Sequence, residues 1–265
     1  MDLEVIEKLA LEKTFETPLL FVHGAGATAA CWNTFQTFFS EAGFDTYAVN
    51  LRGHGGSPSP GWKMWNGYAD YLEDIRSVVE RLETHPILIG HSWGGYLTQK
   101  YLERYSECPG AVLLASPAPE FGWRLTWRMF KMHPILVILG HVTSHPHIVY
   151  SGKHSVRDYL FRTDTPQELI DAYTNNVQTI SSRLYLESIF SPPKAKRCKS
   201  PVMVVGCEGD ALYDASVTSR SAERYCVDPV ILPGLCHMMM LDPEWERAAS
   251  PILDWLVSNA SPSRV

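Results

Sequence analysis

The sequence predicts an α/β protein: a doubly wound, mostly parallel sheet with a helical cap inserted into it. Three observations lead there. Short apolar runs at 19–22, 46–49, 87–89, 111–115, 201–205 and 230–232 alternate with amphipathic stretches of helical period. One of these runs, 87–89, passes through a glycine-bounded turn directly into a helical pattern, so strand, turn and helix meet at Ser92. The alternation breaks between about 120 and 195, where aromatic, basic and histidine residues gather in helical stretches. The expected division is a core of 1–119 and 196–265 with a cap of 120–195.

Residues 1–16 fit either a short helix or an edge hairpin arm. The run 19–22 is the first buried strand, and it ends in His23-Gly24-Ala25-Gly26, where small residues permit close backbone approach. His23 reads as a structural histidine near this loop. The segment 24–29 also matches G-x-G-x-x-A, a dinucleotide fingerprint. The next strand, 46–49, ends at Asn50 rather than at an acid for a ribose, which weighs against that reading. Residues 32–41 read as a helix over the sheet. Residues 50–57, NLRGHGGS, form a glycine-rich turn. Tyr71, Ile75, Val78 and Leu82 share one stripe of a helix over 68–83.

In PILIGHSWGGYLTQKYLERY, residues 86–105, Ile87, Leu88 and Ile89 suit a buried strand. Leu97, Tyr101 and Leu102 share a helix face. Gly90 and Gly94 stand two residues either side of Ser92, where side chains would obstruct a sharp turn. Such a turn lifts the serine hydroxyl above the sheet edge. It also aims the Trp93 N–H and the helix N-terminus at any anion formed there. The bland alternative is a buried serine between glycines.

These residues resemble the G-x-S-x-G nucleophile elbow of the α/β-hydrolase family, specifically its capped esterase- and lipase-like serine hydrolases. The likeness runs from about residue 18 to 257 and is weakest across the cap. It implies that the N–H of Ala25 joins that of Trp93 as an oxyanion donor. Residues 50–57 resemble the family's D-x-R-G-H-G-x-S segment, with Asn50 in place of the usual acid. Gly206-Cys207-Glu208-Gly209-Asp210 resembles the loop that carries the triad acid, with Glu208, Asp214 and Glu120 as rivals to Asp210. Gly234-Leu235-Cys236-His237 resembles the terminal G-x-x-H loop. The implied constellation is Ser92, Asp210 and His237, each following a strand of a parallel sheet whose loops converge on one face.

A serine hydroxyl is a weak nucleophile at neutral pH, so the chemistry needs a base and an orienting acid. The resemblance implies cleavage of an ester, thioester or lactone with an apolar acyl part, without a cofactor. The same motifs occur in C–C bond hydrolases, cofactor-free lyases and small-molecule receptors of this fold.

In the cap, Trp123, Trp127 and Phe130 share one helix face, with Arg124, Arg128 and Lys131 on another. Trp123, Trp127, Phe130, Met132 and Met238, together with Trp93, are the expected apolar walls of a pocket. The aromatic–basic helix fits two readings: a cover over the pocket, or a peripheral contact with lipid. His133, His141, His145, His147 and His154 lack acids or cysteines at metal-ligand spacing, so no metal site is expected.

Composition limits the partners. The 265 residues are 45% hydrophobic and 20% charged with net charge −6, which gives no broad nucleic-acid footprint. The six cysteines show no C-x-x-C pair, which fits thiols in a reducing compartment and a cytoplasmic protein. The N-terminus is acidic and amphipathic, unlike a signal peptide. No stretch reaches the roughly 18 uncharged apolar residues of a membrane span.

Overall fold

The runs without charged side chains become the inner strands of one sheet. The computed structural model describes residues 1–61, 63–105, 108–118, 122–143, 148–149, 152–179 and 181–262, with only the backbone of Trp123, His141 and Lys153. Among these, seven strands pair: β1 (Val5–Lys8), β2 (Leu19–Val22), β3 (Thr46–Val49), β4 (Ile87–His91), β5 (Ala111–Leu114), β6 (Val202–Cys207) and β7 (Pro229–Leu232). Their order is β1-β3-β2-β4-β5-β6-β7. β1 is antiparallel to β3, and every other neighbouring pair is parallel.

Every residue of β2, β4, β5 and β6 is buried, as expected for strands covered on both faces. From β2 the chain steps to β3 on one side and then back to β4 on the other. Right-handed crossovers therefore put α1 (Asn33–Glu41) and α2 (Tyr68–Val79) on opposite faces. α3 (Trp93–Arg104) packs with α2, while α1 meets the last helix, Glu246–Asn259. The reversal between β2 and β4 is a topological switch point, where the loops leaving neighbouring strands diverge and open a crevice. Register brings the strand ends level: His91 pairs with Leu114, and Leu114 with Val205.

Two local readings resolve here. Residues 5–8 form an edge strand whose Val5 and Ile6 are only half-buried. α2 stops at Val79 rather than at residue 83, because Arg81 and Leu82 donate to Val78 and Val79 carbonyls (3.0 and 3.2 Å) in a tighter turn.

Among the described residues, five α-helices intervene between β5 and β6: α4 (Gly122–Met132), α5 (Pro134–Val142), α6 (Lys153–Leu160), α7 (Gln167–Asn175) and α8 (Ser182–Phe190). They are tied to the loops that leave the strands. Gln178 N donates to Gly26 O (2.8 Å), Met238 N to Leu160 O (3.1 Å), and Arg128 Nη1 to Leu212 O (3.1 Å). Ser181 Oγ donates to Asn66 O at 2.6 Å. α9 (Ala215–Tyr225) and α10 (Glu246–Asn259) complete the core.

Candidate active site

Ser92 joins β4 to α3 with φ 53° and ψ −118°, a conformation that costs a non-glycine residue about 1–3 kcal/mol. The surroundings hold it there. Ser92 N donates to Leu114 O, and Tyr96 N donates to Ser92 O, both at 3.0 Å. A Cβ at Gly94 would lie 2.1 Å from Val22 O, and one at Gly90 would lie 2.6 Å from Gly94 O. The two glycines let α3 pass against β2 and β4, which is why the turn can be so sharp.

Asp210 follows β6 and is buried. Its Oδ1 accepts the N–H groups of Leu212 (2.7 Å) and Tyr213 (2.8 Å), so the carboxylate is fixed by its own turn. Its Oδ2 lies 2.8 Å from Nδ1 of the buried His237. A carboxylate at that nitrogen fixes the tautomer with its proton on Nδ1 and leaves Nε2 basic. The rival acids stand elsewhere. Asp214 caps α9, accepting from Ser216 N (3.0 Å) and Val217 N (3.2 Å), and pairs with Arg128. Glu208 is exposed, and Glu120 lies outside the described residues.

Two residues link Ser92 to His237. His91 donates from Nε2 to His237 O at 3.0 Å, with ring centroids 4.7 Å apart. Burial pushes the His91 pKa well below its ordinary 6.5, so this ring is neutral. Tyr213 is buried with its ring 5.6 Å from His237, and its hydroxyl makes a hydrogen-bonding contact with the Ser92 side chain. Sequence reasoning missed Tyr213. Its signal is the turn itself, since an aspartate that binds the N–H three residues on brings that residue to the site.

The loop after β2 crosses in front of Ser92: a Cβ at Gly24 would meet Ser92 Cβ at 3.0 Å. His23 contacts Gly24 O through Nδ1 (2.9 Å) and accepts Leu51 N–H at Nε2 (3.2 Å). Burial lowers its pKa to about 4, so it is a neutral structural group. Asn50 Oδ1 accepts Ala29 N–H at 2.7 Å, and its amide donates to Glu4. The turn after β3 is anchored to α2 by Arg52, whose Nη2 lies 2.7 Å from Asp74 Oδ1. Ala25 and Trp93 line one narrow cleft with Gly24, His54, Ser181 and Leu184. Trp93 opens α3, where N–H groups have no partner within the helix.

A model of the alpha/beta hydrolase family matches residues 19–249. The chain belongs to the alpha/beta hydrolase family. It is 24% identical over 257 residues to the monoacylglycerol lipase of Mycolicibacterium smegmatis, across 91% of this chain and 88% of that one. A solved thermophilic esterase from Thermogutta terrifontis superimposes with TM-score 0.74 at 17% identity, covering 98% of this chain and 94% of the other. The monoacylglycerol lipase of Paleococcus ferrophilus does so with TM-score 0.66 at 24% identity, covering 98% and 100%. These likenesses show a shared fold.

In this alpha/beta hydrolase a second cleft opens at Trp93, the residue after Ser92, and is lined also by Tyr96, Ala118, Leu125, Ser188 and Tyr213. An open recess of about 310 Å³ lies between residues 27–31 and α7, walled by Ala27, Cys31, Leu169, Tyr173 and Leu241. The aromatic stripe expected to face a pocket is placed differently. α4 buries Leu125 and Met129, four residues apart. Trp127 is 53% exposed and stacks on the half-buried Phe130 with centroids 5.6 Å apart. Met132 is half-buried and Met238 fully so; neither lines the two clefts at Trp93. The Trp123 side chain, His145 and His147 lie outside the described residues. Among the described residues no group of three or more His, Cys, Asp or Glu side chains is placed to hold a metal ion. No described helix is long and apolar enough to cross a membrane.

Proposed function

We propose that the protein is a serine hydrolase that cleaves a carboxylic ester, thioester or lactone with an apolar acyl part. The contact between His237 and the buried Asp210, beside a serine held at positive φ, carries this reading. Ser92 Oγ attacks the acyl carbon while His237 Nε2 takes its proton. Asp210 holds the imidazole and stabilises the imidazolium. The N–H groups of Ala25 and Trp93 bind the developing oxyanion. His237 then gives its proton to the leaving oxygen or sulfur, and the acyl group stays on Ser92. Water, deprotonated by His237, releases the acid and restores the serine.

The apolar walls beside Trp93, among them Ala118 and Leu125, favour an aliphatic acyl group over a charged one. The likeness to a protein named monoacylglycerol lipase points the same way. In this reading residues 120–195 act as a cap over a core of 1–119 and 196–265. Trp123, Trp127, Phe130, Met132 and Met238 remain candidate pocket walls, Trp127 only after its exposed ring turns inward.

The test is a series of p-nitrophenyl esters from acetyl to decanoyl with the wild type and Ser92→Ala, repeated in a strong chelator. Rates that rise with chain length, vanish in Ser92→Ala and ignore the chelator support the proposal. Each methylene that enters an apolar pocket adds about 1–3 kcal/mol of discrimination. Hydrolysis retained by Ser92→Ala, or rates indifferent to chain length, would contradict it.

A further inference from the structure

α5 turns its apolar side toward water. Ile135, Ile138, Leu139 and Val142 recur at i, i+3, i+4 and i+7, one stripe of a helix. They are 78%, 53%, 43% and 78% exposed, while Val137, off that stripe, is buried in the core and Leu136 packs against it. On α4, Trp127 is also exposed, and Lys131 Nζ lies 5.7 Å above its ring. Apolar residues scattered singly over a surface are ordinary, but a helical stripe of them marks an interaction site.

Charge selects the partner. From Phe121 to Arg157 the sequence contains no Asp or Glu, yet it carries Arg124, Arg128, Lys131, Lys153 and Arg157. The whole chain has a net charge of −6. Arg128 pairs with Asp214, and the side chains of Arg124 and Lys131 are exposed on α4. Asp158, at the margin, is held by His133 Nε2 at 2.9 Å. An apolar stripe beside cations, in a stretch of sequence without Asp or Glu, complements anionic headgroups above acyl chains. The same cations would oppose one another across a symmetric contact between two copies. α5 has nine residues, about 14 Å of helix, so it can lie in an interface but not cross one.

We propose that α4 and α5 form a docking surface for an anionic lipid bilayer. Ile135, Ile138, Leu139 and Val142 enter the acyl boundary, Trp127 sits at headgroup level, and Lys131 and Arg124 meet the phosphates. Docking requires no turnover.

Flotation of the full chain with unilamellar vesicles tests it. Vesicles of phosphatidylcholine mixed with phosphatidylglycerol are expected to carry the protein, and phosphatidylcholine alone about tenfold less. Raising the salt concentration should narrow that gap. The triple variant Ile135→Ser, Ile138→Ser, Val142→Ser should lose flotation while keeping its circular dichroism and melting temperature, because all three side chains already face water. Lys131→Glu should weaken binding to the anionic vesicles severalfold and leave the weak neutral binding unchanged. Wild type that floats with neither vesicle, or a triple variant that floats as well as wild type, overturns the proposal. So does a wild-type dimer that the triple variant dissociates, with no flotation by either: a second copy would then cover the stripe.

Discussion

Asp210 Oδ2 lies 2.8 Å from His237 Nδ1, and Oδ1 of the same carboxylate is held by two backbone N–H groups. The histidine is thus oriented by an acid that its own turn has already fixed. Nothing in that chain of contacts depends on a mobile surface side chain.

Asp210→Asn should therefore separate geometry from chemistry. With its oxygen in the Oδ1 place the amide keeps both N–H bonds from the turn but presents a donor to His237 Nδ1; flipped, it accepts from His237 and loses both. Turnover should fall by about 10⁴ with KM close to wild type. Steady-state kinetics on one ester checks this. A loss confined to KM would show that Asp210 serves binding instead.

Ser92→Gly should trade function for stability. The positive φ of Ser92 is strained for a side chain and relaxed for glycine. Ser92→Gly should lose hydrolysis and gain about 1 kcal/mol in urea unfolding, while Ser92→Ala keeps the strain and gains nothing. Equal stability of the two variants would contradict the strain.

Much of this was legible in the sequence, for physical reasons. β2, β4, β5 and β6 are buried on both faces, so they read as uninterrupted apolar runs. Glycines two residues either side of Ser92 mark a close approach of backbones that the structure measures at Val22 and Gly94. β1 was not legible: four edge residues, three half-buried and one exposed, suit a helix as well as a strand. The buried stripe of α4, Leu125 and Met129, was not legible because the helix is apolar on two sides. Period alone could not choose Leu125 and Met129 over Trp127 and Phe130; the helices packed against it decide. Ser181, Leu184 and Tyr213 reach the clefts from segments far from Ser92 in sequence, and no local pattern encodes such convergence.

Acid should destabilise the fold before its carboxylates titrate. Burial lowers the pKa of His23 to about 4 and pushes those of His54 and His91 well below 6.5. In the unfolded chain these rings take up protons near pH 6.5, while in the folded chain they stay neutral. The unfolded state binds more protons over this range, so stability falls as pH falls. His23 alone accounts for roughly 3 kcal/mol by pH 4. The urea midpoint should decline steadily from pH 7 to pH 5. A flat midpoint over that interval would mean that these rings are not buried as neutral groups.

In the proposed mechanism Ser92 is a nucleophile activated by His237. Intact-mass analysis after brief treatment with a fluorophosphonate tests it most directly, followed by peptide mapping. One adduct per chain, on Ser92, is expected, with labelling abolished in Ser92→Ala and strongly slowed in His237→Ala. No adduct on the wild type, or an adduct that persists in Ser92→Ala, would contradict the account.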